Sequence, residues 1–312
     1  GAAALVSLQT ILADECAEGD YPVTEAFISA VAAMAGRGAR VPPVPAYVGY
    51  TLAALARHAS WRYRSAAQRW QLAAASLSVL RKVLEAEGGP RPPGGGENLR
   101  AQLLNMLVHQ GAGHGALQGA LSVDAAGLEA ICRQGSNQTF AMEEAVFQAL
   151  SLIPALLAGA AESAGGGATQ LEAALFHQPT MGGAPPATVA ASYVGYLYSK
   201  QLRHAAVNAL AALSKSAGRF HPHPLPIVSC LPRAAGAVTS RARSSLVAPT
   251  SASELRKHPE ELAACLGLLT VAIHCQPGLA DLMLFPCKMD TGSLMAAANH
   301  ETRAKQVGAA IE

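Results

Sequence analysis

The residues best suited to chemistry in this sequence are its scattered histidines and cysteines, one glycine-rich stretch and one arginine–aromatic cluster. Gly113-His114-Gly115-Ala116-Leu117-Gln118-Gly119 has the glycine spacing of a relaxed dinucleotide fingerprint, in which a helix N-terminus approaches a pyrophosphate. That use needs a preceding strand. The pattern Leu103 to His109 is helical instead, so the stretch is expected to be a flexible loop between helices. His109 with His114, and His221 with His223 and Cys230, are the residue types that hold zinc, but their spacings match no zinc motif. Cys265 and Cys275 lie in or beside a very apolar run, where a structural thiol is expected.

Arg57, Trp61, Arg62, Tyr63, Arg64, Arg69 and Trp70 interleave cations with rings, the combination that stacks bases and contacts phosphates. Trp70 also begins a buried stripe, so the cluster reads as a core edge with a solvated basic face. Asn137-Gln138-Thr139 satisfies a glycosylation sequon, but helix capping is the simpler role for Asn137. No G-x-S-x-G elbow, H-E-x-x-H helix or Walker lysine loop occurs. No catalytic, cofactor-binding or metal-binding residue is therefore assigned, no cofactor is expected, and the binding residues stay unknown. The chain does not read as an enzyme.

Composition points the same way. Of 312 residues, 51% are apolar and only 14% charged, against about a quarter charged in an average globular domain. Small apolar residues with few charges suit helices packed on two sides. The 23 basic and 21 acidic residues leave a formal charge of +2, too little to imply a polyanionic partner for the chain as a whole. Six cysteines without a C-x-x-C pair indicate no disulfide framework and fit the reducing cytosol or nucleus. The start, Gly1 to Val6, has no initiator methionine and no basic region, and is read as the edge of a longer chain. The apolar stretches Ala145 to Ala161 and Leu262 to Ile273 fall short of a clean membrane span, so no direct membrane insertion is expected.

Helical periodicity supplies the elements. Trp70, Ala73, Leu77, Leu80 and Leu84 form one stripe; Met142, Val146, Ala149 and Ile153 form another, which Pro154 should kink or end. Ala187 to Ser199 and Leu202 to Leu213 read as adjacent helices joined near Ser199 to Gln201. From Ser253, a candidate N-cap, the chain enters a helix with Leu262, Leu266, Leu269 and Ile273 on one line and Cys265, Leu268 and Ala272 on another. Such a helix should be buried on both sides. Breakers fall at 42–45, 88–96, 165–167, 182–186 and 221–226, with flexible loops expected near 88–96 and 163–168. No sustained alternating β-branched run occurs. The fold class is therefore all-α, and helix–breaker–helix units without a fixed period predict an irregular α-solenoid of HEAT/armadillo-like helical repeats, one segment spanning 1–312.

Several blocks, in order, carry a family resemblance: Glu18 to Phe27, Trp61-Arg62-Tyr63-Arg64-Ser65, Ala191 to Tyr198, Pro226 to Leu231, and Leu269 to Leu279. They resemble the large inner-ring scaffold nucleoporins of the nuclear pore complex. The family has two related classes that differ in mass, and the closing Gln276-Pro277-Gly278-Leu279 is closer to the lighter one. These blocks are turns and packing positions rather than catalytic signatures. The resemblance implies a helical superhelix in the nucleus, at the nuclear envelope, that binds other nucleoporins through short linear motifs of linker nucleoporins and supports nucleocytoplasmic transport. Nucleic acid is not an expected partner. The rival expectation is a generic helical-repeat adaptor for transport cargo or RNA, using the Arg62 to Trp70 surface.

Overall fold

In a computed structural model, the described residues are 43–57, 61–85, 99–109, 114–163, 168–177, 183–219, 227 and 259–284, with positions 7 and 10. Among them the chain is all-α, with no strand. The helices are α1 (Pro43–Arg57), α2 (Ala66–Glu85), α3 (Leu99–Val108), α4 (His114–Ala120), α5 (Ala125–Arg133) and α6 (Thr139–Ser163). After them come α7 (Gln170–His177), α8 (Pro186–Ser192), a single 3₁₀ turn at Tyr193–Gly195, α9 (Lys200–Ala217), α10 (Pro259–Cys275) and α11 (Pro277–Leu284).

Local chemistry sets most of these boundaries. Pro43 and Pro45 fall in the first turn of α1, where a missing N–H breaks no intrahelical bond, so the described part of the expected breaker, 43–45, is a helix start. The break at 182–186 is borne out where it is described: Gly183 adopts φ +84°, and Pro186 opens α8 after the extended Pro185. The Asp124 carboxylate caps α5 by accepting from the Gly127 N–H at 2.8 Å, and Gly135, at φ +65°, turns the chain away beyond its C-terminus. Ser199 caps α9 through the Leu202 N–H at 3.2 Å, close to the expected join, but the helix expected over 187–199 ends at Ser192. The chain passes instead through the 3₁₀ turn into extended Tyr196, where the buried Tyr193 and Tyr196 side chains hold a corner.

The α2 stripe is buried at every one of its five positions. So are the four apolar positions that begin α6, yet α6 runs through Pro154 for 25 residues. An internal proline costs about 3 kcal/mol in a helix. Leu150, Leu152, Ile153, Leu156 and Leu157 surround it, all buried, and each contributes roughly 1.5–3 kcal/mol on leaving water. Burial thus outweighs the proline and carries the helix past it. Residues 139–162 are long and apolar enough to cross a membrane by length and composition, but most of the qualifying window is buried inside the fold. It is the core helix. At Gly159 an added Cβ would come within 2.5 Å of the Leu104 side chain, so α3 crosses α6 at close range there.

Packing follows chain order: α2 lies on α6, α6 on α9, and α9 on α10, while α2 and α10 make no extended contact. The expectation of two-sided burial for α10 fails. Cys265, Leu268 and Ala272 are buried, but on the other line Leu266 is 46% and Ile273 54% exposed. The physical reason is that α9 and the short α11 are the described helices packed extensively against α10, which leaves that second line facing outward. The expected cap Ser253 and the breakers at 88–96, 165–167 and 221–226 lie outside the described residues.

Candidate functional site

A corner between α8 and α9 organises the most distinctive surface. Tyr193 and Tyr196 are fully buried, with ring centroids 5.7 Å apart in an edge-to-face arrangement. The Tyr193 hydroxyl donates to the Val123 carbonyl at 2.7 Å, and the Tyr196 hydroxyl donates to the Glu143 carboxylate at 2.5 Å, with the Cys132 Sγ 3.2 Å away. The Leu197 N–H donates to Glu129 at 3.3 Å, and the Ala125 N–H donates to the Ser192 hydroxyl at 3.0 Å. Burial, with nearby carboxylates, pushes both phenols well above the ordinary tyrosine range. These bonds fix the corner to α5 and α6. They present Leu197 and Tyr198 to solvent, immediately before the cap of α9.

Beyond the corner lies a cleft of about 440 Å³. Phe147 of α6 and Pro259 of α10 line it with apolar surface, Lys200, Gln201 and His204 of α9 supply one polar edge, and Glu260 and Glu261 of α10 supply another. Arg203 ties the two helices by pairing with Glu261 at 3.5 Å. Phe140, two turns from Phe147 along α6 and so on the same face, is 79% exposed. A cleft with apolar surface from Phe147 and Pro259 between charged edges is suited to holding a side chain.

The neighbouring small pocket contains His204 and Cys265, a pairing that raises the question of nucleophilic chemistry. The thiol is tuned the wrong way. Burial, followed by the Glu261 charge, pushes the Cys265 thiol up to about 11, whereas a reactive cysteine is held below its usual value. Cys265 is buried, as expected of a structural thiol, and Cys275 is half-buried.

The other residues singled out by sequence scatter. His114 opens helix α4 rather than a loop, and its Nε2 donates to the Leu107 carbonyl at 2.7 Å, while His109 is exposed at the end of the preceding helix. The expected flexible loop over Gly113 to Gly119 is thus corrected for 114–119, because burial of Leu117 and Ala120 in the core holds that stretch helical. His221, His223 and Cys230 lie outside the described residues, among which no metal-binding cluster of His, Cys, Asp or Glu occurs. Asn137 does not cap α6; Ser136 accepts from the Gln138 N–H through its hydroxyl and from the Thr139 hydroxyl through its carbonyl.

In the arginine cluster, Trp70 is buried and the Arg69 guanidinium lies 5.5 Å from its ring centroid, while Arg62 and Arg64 are exposed. Burial pushes the Tyr63 phenol up, and Arg69 opposes it.

The residue that sequence reading missed is Glu172. It is fully buried at the start of α7, where its carboxylate accepts from the Thr169 N–H at 2.7 Å and from the Thr169 hydroxyl at 3.0 Å. Ser216 donates to it at 2.5 Å and Arg219 pairs with it, tying α7 to the end of α9. Thr169-x-x-Glu172 is a capping box, a signal present in the sequence. Gln276 is a second buried joint: its side chain accepts from the Ile227 N–H at 3.0 Å and donates to the Ser214 carbonyl at 3.5 Å, between α10 and α11. Compared with known proteins, the chain matches no family model and no curated protein.

Proposed function

We propose that this chain is a segment of a non-catalytic helical scaffold, an irregular α-solenoid of the kind found in the inner-ring nucleoporins it resembles. The observation that carries this reading is the packing order, in which the long helices stack in chain sequence instead of closing first onto last. Leu266 and Ile273 on α10 are exposed, an apolar line of the kind on which a further helical layer packs in such an array. Two of the resembling blocks also fall on joints. Gln276-Pro277-Gly278 ends α10 and starts α11, and Tyr193 and Tyr196 hold the corner before α9.

In this reading the work is protein–protein contact: the cleft lined by Phe147 and Pro259 receives an apolar side chain from a short linear motif of a linker nucleoporin, at the nuclear pore within the nuclear envelope. Fluorescent tagging of the full-length protein tests the assignment. A punctate nuclear rim that coincides with known nucleoporins is the expected result; a diffuse cytoplasmic or nucleoplasmic signal would overturn it. The generic adaptor reading has the Arg62 to Arg64 surface in its favour, and that surface points to a more specific partner.

A further inference from the structure

The charge of the chain is unevenly divided. Between Ala26 and Leu84 the sequence has eight arginines and lysines and no Asp or Glu, so the remaining residues hold 15 of the 23 basic and all 21 of the acidic side chains. A near-neutral total therefore conceals a basic stretch and an acidic remainder. Within the basic stretch some cations are used internally. Arg81 pairs with Glu85 at 3.0 Å and donates to Gln148 at 2.8 Å, and Arg69 lies over Trp70 with its Nε buried and without a hydrogen-bond partner.

Arg62 and Arg64 are different. Both are exposed, and neither has an ion pair or hydrogen bond among the described residues. They alternate with half-buried Trp61 and Tyr63, so along this link the rings turn toward the fold and the guanidiniums toward solvent. That alternation discriminates between partners. Single-stranded nucleic acid binding combines backbone contacts with bases stacked on open aromatic faces, and this surface offers the charge without the open rings. Guanidinium groups without open rings match carboxylates, which they engage through paired N–H donors; phosphates offer the same two acceptors, and the oligouridylate comparison below separates the two. An insertion into a membrane would need exposed apolar anchors among the arginines, and among the described residues none of the exposed large apolar side chains lies in 61–70.

We propose that the Arg62–Arg64 link docks an acidic segment of a partner polypeptide. The proposal rests on the scaffold reading for its biological setting and names the chemistry of one partner. Docking here is electrostatic and distinct from the apolar cleft on α6, α9 and α10.

The test is a fluorescence anisotropy titration of the 312-residue chain with a labelled peptide rich in Asp and Glu. A matched Asn/Gln peptide and an oligouridylate of equal charge serve as comparisons. The acidic peptide should bind, weaken as salt is raised, and lose about tenfold in affinity in R62E/R64E. Lys215→Glu, an exposed charge reversal on α9, should stay within about twofold of the parent on the same scale. Circular dichroism should show R62E/R64E with the helicity of the parent, since both side chains are exposed. Tighter binding of the oligouridylate, equal binding of the Asn/Gln peptide, no binding of the acidic peptide, or peptide binding that R62E/R64E leaves unchanged would each overturn the proposal. A protein that marks the nuclear rim yet ignores the acidic peptide loses this proposal alone. One that binds the peptide but never reaches the rim loses the pore assignment alone.

Discussion

Replacing Glu172 by alanine should be among the most destabilising single changes available in this chain. The carboxylate is fully buried and serves the Thr169 N–H, the Thr169 hydroxyl, the Ser216 hydroxyl and Arg219 at once. Loss of the cap costs about 1 kcal/mol, and leaving buried hydroxyls unpaired adds about 1 kcal/mol or more. Arg219 is 24% exposed, so its stranded charge adds a further 1 to 2 kcal/mol, roughly, below the full cost of a broken buried pair. The expected total is about 3 to 4 kcal/mol. Glu172→Gln keeps an acceptor for the Thr169 N–H but loses the ion pair, and should cost about half as much. Urea unfolding followed by circular dichroism measures both. The double variant E172A/R219A should fall short of the sum of the singles by about 1 kcal/mol, because the pair is coupled. An E172A loss below about 1 kcal/mol, or strict additivity in the cycle, would refute the assigned role of Glu172 as the tie between α7 and α9.

Three further outcomes follow from the structure. Substituting Pro277 and Gly278 by alanine should fuse α10 and α11 into a longer helix, read from backbone chemical shifts in NMR; unchanged helix boundaries would contradict the role given to that joint. Tyr193 and Tyr196 hold their protons more tightly when folded, so their contribution to stability is present below the unfolded tyrosine pKa of about 10 and is lost as pH rises above it. The melting temperature should therefore fall between about pH 9.5 and 11, and the fall should be shallower in Tyr196→Phe; parallel profiles would count against the buried-phenol assignment. Cys265, pushed up to about 11 and buried, should resist iodoacetamide at pH 8 until the chain is unfolded, and rapid labelling of the folded protein, located by peptide mass spectrometry, would refute its burial.

The parts of the fold legible in sequence are those governed by local periodicity. The α2 stripe from Trp70 to Leu84 and the start of α6 are recognisable because each helix buries one face against neighbours. As a stop signal Pro154 misleads, because its cost is local while the burial that outweighs it is tertiary. The α10 pattern misleads in the opposite sense: two apolar lines are written in the sequence, but α9 covers one of them. Thr169 and Glu172 were legible as a capping box, yet the addition of Ser216 and Arg219 depends on α9 returning to that spot. The cleft could not be read at all, since Phe147, His204 and Glu260 come from three helices far apart in sequence. Likewise the Tyr196–Glu143 bond spans 53 residues and has no local signature.

The central claim, that this is a segment of a nuclear-pore scaffold working through protein contacts, is tested most directly by recovering the endogenous full-length protein with its bound partners under low salt and identifying them by mass spectrometry. Linker and inner-ring nucleoporins should co-purify at levels comparable to the protein itself. Their absence from a preparation that retains other nuclear assemblies would contradict it.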